Sequence, residues 1–178
     1  MKNLYVSLFL IFAMMSFNVI EVKGESGVKN SDAIKLYEEK EEIVQVFNYK
    51  DRKIYISEND IYLMSQVVYA ESRAEPFNGK VAVASVILNR LLHPGFPKTV
   101  VGVIKQKGAF SCIIQGKINV IPSEECYSAV VEALKGKDPT SKAVFFYNPK
   151  IATSKWMINI QKDNIIPIGN HVFFAVNQ

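Results

Sequence analysis

Carboxylate side chains are the groups in this sequence with which a reaction could be carried out. An acid that keeps its proton near neutral pH can protonate the leaving oxygen of a glycosidic bond, and an apolar setting favours that neutral form. Nine carboxylates stand from Ser57 onward: Glu58, Asp60, Glu71, Glu75, Glu124, Glu125, Glu132, Asp138 and Asp163. Most of them fall in the first turn of a predicted helix or in a turn, where they stabilise local structure.

Glu71 has a different setting. It ends an apolar stripe at helical spacing that is formed by Ile61, Met64 and Val68. A carboxylate in that position lies at the edge of an apolar environment, which disfavours its charged form. The residue before Pro76 avoids helical geometry, so the helix ends there and leaves room for a cleft. Glu71 is therefore the candidate general acid, and an ion pair with Arg73 or Lys80 is the structural alternative.

The elements that must position Glu71 are predicted to be four helices and two strands. The helices cover 57–75, 78–90, 99–104 and 123–135, and Ser57, Thr99 and Ser123 cap the first, third and fourth of them. The second helix is apolar nearly all round, as is typical of a helix at the centre of a domain. Segment 110–120 is irregular or a small hairpin, and the strands cover 143–147 and 171–176. The pattern predicts an α+β fold, with the helices first and a small antiparallel sheet last.

The N-terminal segment is predicted to direct export. Lys2 precedes a nearly continuous apolar run over 4–20, so 1–24 is interpreted as a signal peptide, with an uncleaved membrane anchor as the alternative. Residues 25–56 are rich in charge and are predicted to form a linker. The compact domain is then 57–178, and it is expected to act outside the cytoplasm.

The remaining composition argues against other classes of function. A net charge of +4, with three arginines and no basic run, disfavours nucleic-acid binding. Two histidines, His93 and His171, are too few for a typical zinc hydrolase, so neither a metal nor another cofactor is predicted. Cys112 and Cys126 either pair as a disulfide outside the cytoplasm or are separate buried thiols.

Several separate blocks of the sequence carry a family resemblance. Residues 69–90 read YAESRAEPFNGKVAVASVILNR, and HPGFP follows at 93–97. The blocks FFYNP at 145–149, TSKW at 153–156 and IGNHVF at 168–173 complete the series. From Ser57 to the C-terminus the sequence thus resembles the spore-cortex-lytic, SleB/CwlJ-type cell-wall hydrolases, and segment 108–121 departs from their pattern. The choice between the SleB and CwlJ subfamilies stays open.

The resemblance implies a lysozyme-like α+β fold and a lytic transglycosylase that acts on glycan containing muramic acid, in the spore cortex during germination. The family's catalytic glutamate falls on Glu71. In that reaction one carboxylic acid protonates the glycosidic oxygen. As a carboxylate it then takes the proton of the sugar's 6-hydroxyl, which closes a 1,6-anhydro ring. Neither a metal nor a catalytic water is required.

Seven further residues are candidate contacts to the glycan. They are Glu75, Phe110, Tyr147, Asn148, Thr153, Ser154 and Trp156. The structural alternatives are a salt bridge for Glu75, a core position for Trp156 and hydrogen bonds within turns for the other polar residues. His171 starts a strand and is predicted to be structural.

Three alternative functions keep the cell wall as the target. A muramidase of the vegetative wall would use Glu71 with an activated water, and a wall-binding module would not cleave at all. An amidase would cleave the stem peptide, with metal ligands that two histidines hardly supply. Peptidoglycan is the predicted partner in each case, whereas association with a membrane or an accessory protein and the oligomeric state stay open.

Overall fold

The computed structural model describes residues 44–176. In chain order the elements are β1 (Val44–Tyr49), β2 (Arg52–Ser57), α1 (Glu58–Ser72), α2 (Phe77–Leu92), α3 (Val100–Lys105), α4 (Glu124–Leu134), β3 (Phe145–Tyr147), α5 (Lys155–Asn159), β4 (Asp163–Ile168) and β5 (His171–Ala175). None of the helices in this part of the chain is long and apolar enough to cross a membrane. The predicted signal peptide and residues 25–43 of the predicted linker lie outside the described residues.

Helix α1 begins with the predicted capping box. The Ser57 hydroxyl accepts a hydrogen bond from Asp60 N at 3.1 Å, and the Asp60 carboxylate accepts one from Ser57 N at 3.1 Å. Along the helix, Met64 and Val68 are fully buried. Because the helix ends at Ser72, Glu71 lies in its last turn, at the edge of the core.

Helix α2 is the centre of the core. Every residue from 79 to 91 is buried, as the nearly continuous apolar sequence predicts. Helices α1, α3 and α4 all pack against it. Its buried Asn89 joins distant segments, because Nδ2 donates to the carbonyl oxygen of Ala143 at 2.9 Å and to Asp138 Oδ2 at 3.1 Å.

Strands β1 and β2 form an antiparallel hairpin at 44–57, where the sequence predicts the end of a charged linker. Lys50 and Asp51 make its two-residue turn, and both have positive φ, which matches a type I′ turn. Tyr49, Ile54 and Ile56 are buried in the core. The pattern of a strand is weak here because only three apolar side chains of the hairpin are buried in the core, while polar residues such as Gln45, Asn48 and Lys53 stand exposed along its strands.

The second sheet has the strand order β3–β5–β4 and is antiparallel throughout. Phe173 and Phe174 of the central strand β5 are fully buried. The sequence analysis missed β4 and the short helix α5. Strand β4 lies at the edge of the sheet and has no buried residue, and it contains Pro167, whose missing N–H donor is tolerated there. Its pattern of residues is therefore not typical of a strand.

The α+β class predicted from the sequence is confirmed, although a hairpin precedes the helices. Thr99 caps α3 as predicted, because its hydroxyl accepts from Gly102 N at 3.1 Å. Ser123 stands at the predicted N-cap of α4 without a capping bond. Its hydroxyl donates instead to Cys126 Sγ at 3.3 Å.

Candidate active site

The carboxylate of Glu71 is held by the loop that follows α3. Ser111 Oγ donates to Glu71 Oε1 at 3.0 Å, and the backbone N–H of Cys112 donates to the same oxygen at 3.1 Å. Both bonds end on Oε1. The orientation of the carboxylate is therefore set by two donors from a distant segment.

Glu71 forms part of the wall of an open cavity of about 520 Å³. This volume lies in the range of roughly 300–1,000 Å³ that is usual for small-molecule sites. The walls come mainly from segment 106–111, from β3 with the loop after it, and from the start of α5. Of the described residues that line the cavity, Glu71 is the only carboxylate.

Arg90 places a positive charge against this cavity. Its Nε donates to the carbonyl oxygen of Val144 at 2.7 Å. Its guanidinium carbon lies 5.3, 5.0 and 5.7 Å from the ring centroids of Phe96, Phe110 and Phe145. Burial lowers the pKa of Arg90 to about 10, although the negative charge of Glu71 raises it. The guanidinium is therefore protonated at neutral pH.

Six of the seven predicted glycan contacts line the cavity. They are Phe110, Tyr147, Asn148, Thr153, Ser154 and Trp156. Trp156 is 49% exposed and meets Phe145 edge-on at 5.2 Å, so it is not a core residue. Two of the polar residues also have local structural roles. Asn148 Oδ1 accepts from Lys150 N at 3.0 Å within a turn, and Ser154 Oγ caps α5 by accepting from Met157 N at 3.3 Å.

The seventh predicted contact, Glu75, does not line the cavity. It is buried, and its two carboxylate oxygens accept hydrogen bonds from Asn170 N at 2.9 Å and Asn170 Nδ2 at 3.1 Å. Gly169 lies against it with a φ of +60°, and an added Cβ there would stand 1.9 Å from Glu75 Oε2. The structure thus joins Glu75 to the turn before β5.

His171 and Arg90 line the cavity as well, and the sequence analysis did not select either of them as a site residue. His171 Nδ1 lies 3.8 Å from Glu75 Oε1. Burial lowers the pKa of His171 more than the charges of Glu75 and Glu71 raise it, so the imidazole is neutral at neutral pH. Both missed residues stand inside the blocks that carry the family resemblance, which is the signal that could have identified them.

The two cysteines are not joined to each other. Cys112 belongs to the loop that holds Glu71, and Cys126 is buried in α4. Burial raises the pKa of the Cys112 thiol to about 12, and the nearby Glu71 carboxylate adds to the rise, so the thiol is protonated at neutral pH. Within residues 44–176, no group of three or more His, Cys, Asp or Glu side chains is arranged to hold a metal ion.

Curated relatives of this chain are spore cortex-lytic enzymes. Those of Bacillus cereus and Halalkalibacterium halodurans are each 48% identical to it over 117 residues, which is 66% of this chain. The matched part is 44% of the first enzyme and 35% of the second. The chain therefore spans less than half the length of these relatives.

Two solved structures share the fold. The catalytic domain of the Bacillus cereus SleB protein is 47% identical, with a TM-score of 0.61 over 67% of this chain and 92% of that domain. The catalytic domain of the germination-specific lytic transglycosylase SleB from Bacillus anthracis is 46% identical, with a TM-score of 0.62, and the match covers 67% of this chain and 96% of that domain. The model of the cell wall hydrolase family matches residues 74–174. The chain belongs to the cell wall hydrolase family.

Proposed function

We propose that this chain cleaves the glycan strands of bacterial peptidoglycan as a lytic transglycosylase, with Glu71 as both acid and base. The observation that carries the proposal is that Glu71 is the only carboxylate among the described residues lining the cavity. Ordinary glycosidases that use water require two carboxylates, about 5–9.5 Å apart. An attack by the sugar's own hydroxyl requires a single group that first donates a proton and then accepts one.

In the first step, the Glu71 carboxylic acid protonates the glycosidic oxygen. Ser111 and Cys112 donate to Oε1, so the transferable proton resides on Oε2. As the bond between the anomeric carbon and this oxygen breaks, the electron pair goes to the leaving sugar, whose new hydroxyl carries the proton. Glu71 becomes a carboxylate, which the two donors and the charge of Arg90 stabilise.

In the second step, the Glu71 carboxylate removes the proton of the 6-hydroxyl on the muramic acid residue. The freed oxygen bonds to the anomeric carbon of the same sugar and closes a 1,6-anhydro ring. Glu71 thereby regains its proton, and no water is consumed. The atoms balance without a metal or a second carboxylate.

The cavity lining supplies candidate contacts for the sugar rings. The exposed indole of Trp156 offers a stacking surface, and Phe110 walls the cavity beside Arg90. The polar side chains that face sugar hydroxyls in this proposal are those of Tyr147, Asn148, Thr153 and Ser154. Aromatic surface combined with hydroxyl and amide groups suits a ligand with apolar ring faces and polar edges.

We further propose that the substrate is spore cortex and that residues 1–24 direct the chain across the membrane. The relatives are named spore cortex-lytic enzymes, and the N-terminal apolar run has the pattern of a signal peptide. The arrangement of a glutamate at the end of a helix, facing a cavity between helices and a small sheet, supports a lysozyme-like domain. The hairpin at 44–57 belongs to this domain in our proposal, because its side chains enter the same core.

The test is mass spectrometry of the soluble fragments that the purified chain and its Glu71→Gln variant release from cortex-type and vegetative peptidoglycan. We expect fragments with 1,6-anhydro-muramic ends from the chain, more of them from cortex, and none from Glu71→Gln. Reducing muramic ends would identify a muramidase that uses Glu71 with water. Wall binding without any release of fragments would favour the binding module, and released stem peptides would identify an amidase.

A further inference from the structure

His171 is a polar residue of the cavity to which the proposed reaction assigns no role. The residue is only 9% exposed, yet its side chain lines the cavity that contains Glu71. Its ring is held edge-on by Phe146 and Phe173, with centroid distances of 5.3 and 6.1 Å. A buried polar ring in such an apolar frame is expected to have partners for its nitrogen atoms.

The Nδ1 atom of His171 is buried and has no hydrogen-bond partner among the described residues. Glu75 Oε1 lies 3.8 Å away, which is longer than a hydrogen bond but close for a charge. A neutral imidazole carries one N–H group and one lone pair. The negative charge of Glu75 attracts the N–H group and repels the lone pair, so it favours the tautomer with the proton on Nδ1.

Glu75 is fixed in the position from which it acts on this ring. Both of its carboxylate oxygens accept from Asn170, the residue next to His171 in sequence. Gly169 lets the carboxylate approach the backbone, because any side chain there would collide with it. At the other side, Lys80 Nζ donates to the Glu75 carbonyl oxygen at 2.6 Å. The carboxylate is therefore held beside His171 by contacts within the protein.

We propose that Glu75 sets the tautomer of His171, so that Nε2 presents a lone pair to the cavity and accepts a hydrogen bond from a hydroxyl of the bound glycan. Nε2 is the nitrogen available to a ligand, because the opposite edge of the ring faces Glu75. The inference rests on the proposed function, since that function supplies the glycan. Glu75 is then a positioning residue that acts through His171, which contacts the substrate.

Burial keeps the His171 ring neutral against the two negative charges near it. Glu75 from the loop after α1 and Glu71 from α1 both raise its pKa, but burial lowers it more. A neutral ring is required here, since a protonated imidazole would have no lone pair to offer. The role proposed for His171 is thus that of a hydrogen-bond acceptor at neutral pH.

Nuclear magnetic resonance of the imidazole nitrogens tests the tautomer directly. The chain has two histidines, so His93→Asn assigns the signals of His171. In long-range proton–nitrogen spectra at pH 7.5, we expect a protonated Nδ1 and an unprotonated Nε2 for His171. A protonated Nε2 in the unmodified chain would overturn the proposal without the need for any variant. In Glu75→Gln, whose amide can donate to Nδ1, we expect the ring to move toward the Nε2–H tautomer, and an unchanged ring would also contradict the proposal.

Binding of a defined glycan tests the contact. The probe is a tetrasaccharide of alternating N-acetylglucosamine and N-acetylmuramic acid, added to the inactive Glu71→Gln variant. We expect it to shift the Nε2 resonance of His171. In the same background, His171→Asn should weaken binding about tenfold, whereas His171→Gln, whose amide oxygen reaches the position of Nε2, should stay within about threefold. His93→Asn is the matched control and should leave the affinity unchanged.

The two proposals fail in different ways. If the unmodified chain releases anhydro fragments while His171→Asn binds the tetrasaccharide as tightly as its parent, the role of His171 is wrong and the proposed function stands. If the chain releases no fragments and Glu71→Gln does not bind the tetrasaccharide, the proposed function is wrong and the glycan contact of His171 is rejected with it.

Discussion

The hydroxyl of Ser111 and the carboxylate of Glu71 are joined by a 3.0 Å hydrogen bond between residues 40 positions apart in the chain. The bond connects the last turn of α1 to the loop after α3, inside segment 108–121. It ends on the same oxygen as the Cys112 N–H bond, so the two donors together orient the carboxylate. The reactivity of Glu71 should therefore depend on this loop.

Replacement of Ser111 tests that dependence. We expect Ser111→Ala to slow the release of anhydro fragments about tenfold, because one of the two donors that stabilise the Glu71 carboxylate is lost. Ser111→Thr keeps the hydroxyl and should retain most of the activity. Both variants should unfold at the same temperature as the unmodified chain, since Ser111 is exposed. Full activity in Ser111→Ala would show that the Cys112 N–H suffices.

Trp156 and Ile158 form a matched pair on α5, since each is 49% exposed. Trp156 lines the cavity and Ile158 does not. We expect Trp156→Ala in the Glu71→Gln background to bind the tetrasaccharide about tenfold more weakly, because a stacking surface for a sugar ring is removed. Ile158→Ala should bind it unchanged, as measured by calorimetric titration. Equal affinities for the two variants would remove Trp156 from the glycan contacts.

The hairpin at 44–57 predicts where a stable domain must begin. Tyr49, Ile54 and Ile56 are buried in the core, and each such side chain contributes about 1.5–3 kcal/mol. Their combined loss is comparable with the total stability of a domain, about 5–15 kcal/mol. A chain that begins at residue 57 should therefore show no cooperative thermal transition by circular dichroism, whereas one that begins at residue 40 should. Equal melting temperatures for the two chains would contradict this role of the hairpin.

Asp138 is the charged centre of a partly buried network. Its carboxylate pairs with Lys50 from the hairpin turn and accepts hydrogen bonds from Asn89 and Thr140. We expect Asp138→Asn to lower the free energy of unfolding by about 2–4 kcal/mol in urea titrations, because it leaves the partly buried Lys50 ammonium without its counter-charge, although Lys50 Nζ still donates to Asn89 Oδ1 at 2.8 Å. Glu132→Gln is the control: it removes only an exposed pair with Lys135 and should change the value by less than about 0.5 kcal/mol.

Asp138 also makes stability depend on acid. Burial raises the pKa of its carboxyl, but the hydrogen bonds from Lys50 and Thr140 and the charge of Lys50 together lower it below its ordinary value. The contribution of Asp138 to the free energy of unfolding is therefore complete above the ordinary pKa of an aspartic acid. It is lost as the pH falls through the lower pKa that Asp138 has in the folded state. In urea titrations between pH 5 and pH 3, Asp138→Asn should lose less stability than the unmodified chain. Parallel losses in the two proteins would contradict the assignment.

His171 makes stability depend on pH in a higher range. Because burial lowers the pKa of its imidazole, the unfolded chain binds a proton at pH values where the folded chain does not. The contribution of the neutral His171 to the free energy of unfolding is complete above the ordinary pKa of a histidine. It is lost as the pH falls from there through the lower pKa of the folded state. In urea titrations from pH 7.5 to 5.5, the loss of free energy of unfolding should be smaller in His171→Gln than in the unmodified chain. An identical pH profile in His171→Gln would exclude this residue as the cause.

The sequence by itself determined the elements that depend on local signals. The capping box at Ser57 and Asp60 acts between residues three positions apart, and the apolar run of α2 requires burial whatever surrounds it. The same local pattern identified Glu71 as a carboxylate at the end of a buried helix stripe, and the residues matched to the family supplied six further predictions that line the cavity with it.

Only the tertiary structure decided which distant residues meet. The bonds of Ser111 and Cys112 to Glu71, and the approach of Glu75 to His171, join segments about 40 and 95 residues apart. No periodicity or cap encodes such a contact, because it follows from how the helices pack and where the sheet lies. The hairpin was missed for a related reason: burial of its three core side chains depends on the helices that cover them. Local sequence thus specified the helix that carries the candidate acid, and packing specified the groups that orient it.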